Sequence, residues 1–173
     1  SAPQAEEMTF VRTALRTLAA QTVRVLLTLS DNHKLEDLGV VPANARIERF
    51  VSHAAVLARS RLLVSHGGHG IVMKALYYGV PMVLVPWDRD QPGVAARAAA
   101  LGTAEVVARD GLTTVALSAA IDRVLRTPSY RENAARLASH LREHDALGTA
   151  RTRIEQFLDR RNFGMQPTAF GRG

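Results

Sequence analysis

The chain has 173 residues, no cysteine, 47% hydrophobic residues and a net charge of +6, and its sequence pI is near 10.7. This is the length of one domain with room for a core, and the composition excludes a disordered chain. No apolar run is long enough for a transmembrane helix, and the first residues show no signal-peptide pattern. The basic balance raises nucleic acid as a partner. However, the arginines are spread through the helical stretches with few aromatics among them, which argues against nucleic acid and fits a high-GC genome. The lack of cysteine fits a reducing compartment, and the expected location is the cytoplasm.

In chain order, Met8, Val11, Leu15 and Leu18 recur at helical spacing within 6–21, with Arg12 and Arg16 on the opposite, solvated face. Residues 23–29 read as a strand and 30–34 as a polar loop. The Pro42-Ala43-Asn44 turn introduces a second strand over 46–51, and Phe50-Val51-Ser52-His53 opens a short segment over 54–59. Next comes the stretch around which the chain is organised, 62–91. A short apolar run at 62–64 meets the turn His66-Gly67-Gly68-His69-Gly70, where glycine lets the backbone bend tightly and approach a ligand. Val72, Ala75 and Leu76 mark a helix over 71–78 that Gly79 stops as a left-handed cap, and 82–85 is a second buried-type run closed by Pro86.

Strand, glycine turn, helix and strand make a βαβ unit whose turn sits at the carboxyl end of a strand, where open α/β sheets bind ligands. A helix starting near Gly70 offers free N–H groups and a positive dipole end to a phosphate, and His66 can add a donor. The alternative is a tight turn with a satisfied loop histidine; Asp90-Gln91 downstream weighs toward the ligand.

Beyond it, 92–101 reads as a helix ended by Gly102, and 104–107 as a strand. A helix from Leu112-Thr113 has the apolar face Leu117, Ile121, Val124 and Leu125. Thr127-Pro128 starts another, burying Tyr130, Ala134, Leu137 and Leu141. A last helix from about Thr149 carries Ile154, Phe157 and Leu158, and 160–173 reads as a loose tail after a domain over 1–159. The predicted fold class is α/β: a Rossmann-like parallel sheet with helices on both faces.

His66, Gly68, Gly70, Ala75-Leu76, Gly79-Val80-Pro81, Pro86 and Asp90-Gln91 follow one another in an order that resembles a known family. It is the nucleotide-sugar-binding half of the GT-B glycosyltransferases, UDP-glycosyltransferase superfamily, in its bacterial natural-product form. The likeness is detailed from 43 to 107 and looser to the end. It implies one half of a GT-B fold that binds the donor in transfer of a sugar from a dTDP- or UDP-sugar to an acceptor hydroxyl of a small hydrophobic natural product or lipid. The family's general base lies in an N-terminal acceptor domain, in cis or in trans, so no catalytic residue is expected here and the chain alone should bind without turnover. The resemblance also leads one to expect a first strand with a Gly-Ser/Thr turn before the first helix. Either the chain is cut there or that strand belongs to another chain.

By the resemblance, His66, Gly67, Gly68 and Gly70 meet the diphosphate; Phe50, Val51 and His53 the base; and Asp90 and Gln91 the sugar. No cofactor and no metal is required when helix and histidine neutralise the diphosphate. No nucleic acid partner is implied, and a homodimer is compatible. Phe50 as core with His53 as a helix cap, and Asp90-Gln91 as a helix cap, are the structural alternatives. His69 lines the turn, and Trp87 either borders the acceptor cleft or packs. Two residues depart from the family: Ile71 replaces a hydroxyl donor, and Lys74 stands where UDP-sugar users place a glutamate for the ribose hydroxyls. Ammonium has no acceptor to offer, so Lys74 either adds charge near the diphosphate or faces solvent, and a dTDP-sugar becomes the expected donor. Three other readings stay open: a non-catalytic partner subunit or degenerate nucleotide-binding module, a nucleotide-sugar epimerase with only Asp88 and Asp90 as candidate carboxylates, and a nucleic-acid binder.

Overall fold

The structure, a computed structural model, describes residues 2–144 and 146–163. In order the elements are α1 (Ala2–Ala19), β1 (Val25–Thr28), a 3-10 turn (Leu35–Leu38), β2 (Ala45–Glu48), α2 (His53–Leu57), β3 (Leu63–Ser65) and α3 (His69–Tyr77). There follow β4 (Met82–Leu84), α4 (Gln91–Ala100), β5 (Ala104–Val106), a second 3-10 turn (Arg109–Gly111), α5 (Thr114–Arg126), α6 (Pro128–Glu143) and α7 (Ala146–Phe163). The chain forms two compact units, 1–139 and 140–173, so the predicted domain over 1–159 reaches past the first. In the second unit α7 begins before Thr149 and extends to Phe163, four residues of which were read as tail (160–163). Its Ile154, Phe157 and Leu158 are exposed. The rest of the predicted tail, 164–173, lies outside the described residues. No described helix is long and apolar enough to cross a membrane.

All strand pairing in the first unit is parallel, but it falls into two ladders where one sheet was predicted. β1 pairs with β2, Leu27 opposite Ile47. β4 lies between β3 and β5, Val83 opposite Val64 on one side and Glu105 on the other. The physical reason is in the order. In the common doubly wound sheet the first strand lies between the second and the fourth. With β1 and β2 as second and third and β3 as fourth, that middle place has no strand among the described residues.

The long helix α1 joins the two halves. Its Met8, Val11 and Leu15 pack with Leu29 and Leu38 on the side of the pair. Its Ala14 packs with Val83, Val85, Leu117 and Ile121 on the side of the triplet. Phe10 touches both clusters. The spacing of these residues along α1 is the helical period read from the sequence, widened by Ala14 into a broader apolar stripe.

The core centres on β4: Met82, Val83, Leu84 and Val85 are all at 0% exposure, as expected of a strand buried on both faces. Each such side chain contributes about 2 kcal/mol by leaving water. Gly79, at φ 66, ends α3 with a turn only glycine takes easily, and a Cβ there would stand 3.3 Å from the Ala135 Cα. Thr113 caps α5 through the Ala116 N–H (3.1 Å); Leu117, Ile121 and Val124 are buried as the spacing predicts, Ala120 is buried beside them and Leu125 is half-buried. On α6, Ala134 and Ala138 are buried while Tyr130 and Leu137 are half-buried. Tyr130 O–H donates to the Glu105 carboxylate, which also accepts from Arg123 Nη1 at 3.2 Å.

Asn44 is the polar fastener of α1. Its Nδ2 donates to the carbonyls of Leu18 (3.0 Å), Gln21 (3.3 Å) and Val23 (2.9 Å), so one amide holds the helix end to the turn before β2. Asn44→Ala is expected to lower stability by about 1–3 kcal/mol, and Asn44→Asp by more, because a carboxylate would face three carbonyls. Urea unfolding midpoints of the two variants check the order.

The hydrogen bond to Glu105, then burial, then the charge of Glu105 raise the Tyr130 pKa above its ordinary 10.0, against the opposing charge of Arg123. A raised folded pKa means stability that is whole below the ordinary value and lost as pH climbs through the raised one. Tyr130→Phe should therefore cost about 1 kcal/mol at neutral pH. The gap to the unaltered chain should close in unfolding measurements stepped into alkali.

Candidate functional site

Because β3 and β4 are parallel neighbours, the turn after β3 and the loop after β4 leave the same edge of the triplet. They touch: a Cβ on Gly67 would lie 3.8 Å from the Gln91 carbonyl oxygen and 3.8 Å from Leu84. The diphosphate and sugar candidates, His66–Gly70 and Asp90-Gln91, are thus brought together.

The turn distributes its N–H groups unevenly. Gly67, at φ 84, is buried and its N–H donates to Ser65 Oγ (3.1 Å). That N–H therefore already has an acceptor within the turn, and Gly67, one of the diphosphate candidates, does not offer it as a free donor. Gly68 is the N-cap of α3, which begins at His69, one residue ahead of Gly70. The first helical bond runs from Val72 N–H to the Gly68 carbonyl (3.2 Å). The N–H groups of His69, Gly70 and Ile71 therefore have no acceptor among the described residues, and they carry the positive end of a nine-residue helix. Ile71 supplies its backbone N–H here although its side chain has no hydroxyl.

The His66 ring folds back over Gly68: a Cβ at that position would come within 2.9 Å of His66 Nε2. On another side stands Trp87, ring centroids 5.5 Å apart and planes tilted by 33°. Trp87 in turn meets Phe10 of α1 edge-on at 5.9 Å.

The loop after β4 turns through Arg89, at φ 56 the positive-φ residue that is not glycine among those described. Asp90 occupies the N-cap position of α4 but its side chain makes no cap hydrogen bond, so its exposed carboxylate is not used as a helix cap. Gln91 behaves otherwise. Its Oε1 accepts from the N–H of Trp87 (2.9 Å) and of Asp88 (3.4 Å), and its Nε2 has no acceptor among the described residues.

The base-contact candidates lie between β2 and the first turn of α2. Phe50 is 87% exposed, so it is not core. The cap of α2 is Ser52, whose Oγ accepts from Ala55 N–H (3.5 Å); His53 is exposed on the first turn and does not cap. Val51 is half-buried. The helix they lead into, α2, packs against α3. Among the described residues no hydrogen bond or ring contact joins Phe50, Val51 or His53 to His66 or Gln91. Lys74 is exposed on α3. No group of three or more His, Asp or Glu that could hold a metal gathers among the described residues.

Sequence reasoning missed three contacts: Ser65 with Gly67, Gln91 with the Trp87 backbone, and Trp87 with His66. A serine two residues before a glycine that bends the chain is a local turn signal and could have revealed the first. The other two join residues whose spacing carries no such signal.

Residues 12–146 match the family described as erythromycin biosynthesis protein CIII-like, C-terminal domain. The chain belongs to this family. Within the superfamily it is 36% identical over 142 residues to 4'-demethylrebeccamycin synthase of Lentzea aerocolonigenes, covering 82% of this chain and 33% of that protein. Its fold matches CalG4, the calicheamicin glycosyltransferase, at TM-score 0.80 and 26% identity over 88% of this chain and 39% of that one. It also matches the glycosyltransferase VinC, solved with dTDP, at TM-score 0.68 and 31% identity over 74% and 32%. The chain spans about a third of the length of the curated relatives it matches. The architecture is that of one half of a GT-B glycosyltransferase.

Within this family member the glycine turn can be tested without a ligand. Gly68 has φ −58, which alanine tolerates, and the group its Cβ would meet is the His66 ring. Gly68→Ala should change stability by no more than about 0.5 kcal/mol while displacing that ring. Urea unfolding and the imidazole resonances of His66 report the two effects separately.

Proposed function

We propose that this chain is the donor-binding half of a bacterial glycosyltransferase that moves a sugar from a nucleoside diphosphate to a hydroxyl of a small hydrophobic natural product or lipid. The observation that carries the reading is the set of three acceptor-free N–H groups at the start of α3, beside His66 and on the same strand edge as Asp90 and Gln91.

The chemistry follows from those groups. As the bond from the anomeric carbon to the diphosphate breaks, charge grows on the leaving oxygens. The N–H groups of His69, Gly70 and Ile71, with His66, meet that charge with donors fixed before the reaction, and Gly68 keeps the approach open. In this reading the neutralisation needs no metal and no cofactor. Asp90 accepts from sugar hydroxyls while Gln91 donates to them through Nε2. Phe50, Val51 and His53 serve the base. The acceptor hydroxyl needs a general base within hydrogen-bond reach; we assign it to an acceptor domain in the same chain or in a partner.

The nucleotide is proposed to be dTDP. Lys74 cannot accept from ribose hydroxyls, and VinC, 31% identical, was solved with dTDP. Relatives that act in natural-product pathways, such as 4'-demethylrebeccamycin synthase, support the acceptor class. A reducing, cytoplasmic setting agrees with the cysteine-free sequence.

Calorimetric titration with dTDP, UDP and GDP tests this. Saturable binding that favours dTDP is expected, with His66→Ala weakening it about tenfold, the scale of one hydrogen bond to a charged group. Binding that ignores His66, or an equal response to all three nucleotides, would count against the assignment.

A further inference from the structure

We propose that Trp87 is the positioning residue for His66, holding its imidazole over the anion-binding turn through a stack braced by Phe10. The functional consequence rests on the diphosphate reading above; the positioning itself rests on geometry.

A histidine that must present a donor in a fixed direction is ordinarily oriented by a hydrogen bond to its other nitrogen. His66 has no such partner among the described residues. Two neighbours of its ring are known, neither a hydrogen-bond partner: Gly68, where a Cβ would come within 2.9 Å of Nε2, and the Trp87 indole at 5.5 Å. Neither ring nitrogen has a hydrogen-bond partner among the described residues, so packing is left to set the ring direction.

Trp87 is itself held at two points. Its backbone N–H donates to Gln91 Oε1 at 2.9 Å, which ties it to the residue assigned to the sugar. Its indole meets Phe10 at 5.9 Å and 79°, the edge-to-face arrangement that aromatic rings prefer. Phe10 in turn packs against two hydrophobic clusters of the first unit. The stack thus runs from the core helix α1 through the loop after β4 to the turn after β3.

The test is a mutant cycle on the full chain with dTDP as the probe. Trp87→Leu is expected to weaken dTDP binding about tenfold, and Trp87→Phe to restore it to within about threefold. In a His66→Ala background the leucine change should add less than about twofold, because its effect passes through the histidine. The His66 imidazole resonances should move in Trp87→Leu and stay near their original position in Trp87→Phe. Unchanged affinity in the leucine variant, an equal loss with and without His66, or unmoved resonances would each overturn the proposal. Should the leucine variant fail to fold, the emission of Trp87 in the unaltered chain decides, since it should change when His66→Ala removes the neighbouring ring. If the unaltered chain binds no dTDP, the diphosphate reading falls, and the resonances and emission still decide whether Trp87 sets the ring.

Discussion

Burial of β4 is the constraint on which the rest depends. Met82 to Val85 lose all contact with water, and the strand is paired on both edges, to β3 and to β5. Parallel pairing in register fixes where each strand ends, so the turn after β3 and the loop after β4 must emerge side by side. The glycine turn could take its shape anywhere. Only this pairing gives it Gln91 and Trp87 as neighbours.

Around that edge the polar groups are divided by direction. Ser65 takes the Gly67 N–H inward and Gln91 takes those of Trp87 and Asp88, which stiffens the two loops from within. The N–H groups that begin α3, the Asp90 carboxylate and the His66 ring have no hydrogen-bond partner among the described residues. A site built this way is preorganised: the groups that would meet charge are held by others that do not touch it. Arg89, in a left-handed conformation, sits in the middle of this loop, in keeping with the tendency of backbone strain to gather at functional sites.

The helix α1 has a second role beyond covering the sheet. It packs against both ladders and supplies Phe10 behind Trp87, so the core and the site share an element. Asn44 fastens its far end through three carbonyls. The two parallel ladders are therefore held in one unit by side-chain packing, without strand-to-strand hydrogen bonds between them.

The sequence by itself determined the elements and the family. Helical spacing marked α1 and α5, Gly79 and Gly102 marked helix ends that carry positive φ, and the run 82–85 marked the buried strand. These are local matters of sterics and periodicity, which neighbouring residues settle among themselves. The order of His66, Gly68, Gly70 and Asp90-Gln91 was enough to indicate the donor-binding half through its resemblance to the GT-B glycosyltransferases. What the tertiary structure alone decided was the partner of each polar group and ring. Gly67, a diphosphate candidate, gives its N–H to Ser65, Phe50 could have been core and lies exposed, and His53 leaves the capping to Ser52. Trp87 could be placed neither in a cleft nor in the core until Phe10, His66 and Gln91 were known to surround it. The Ser65 and Ser52 bonds are local, but the ring contacts of Trp87 join residues far apart in the chain, and the spacing of residues along one segment carries no record of what another segment will bring beside it.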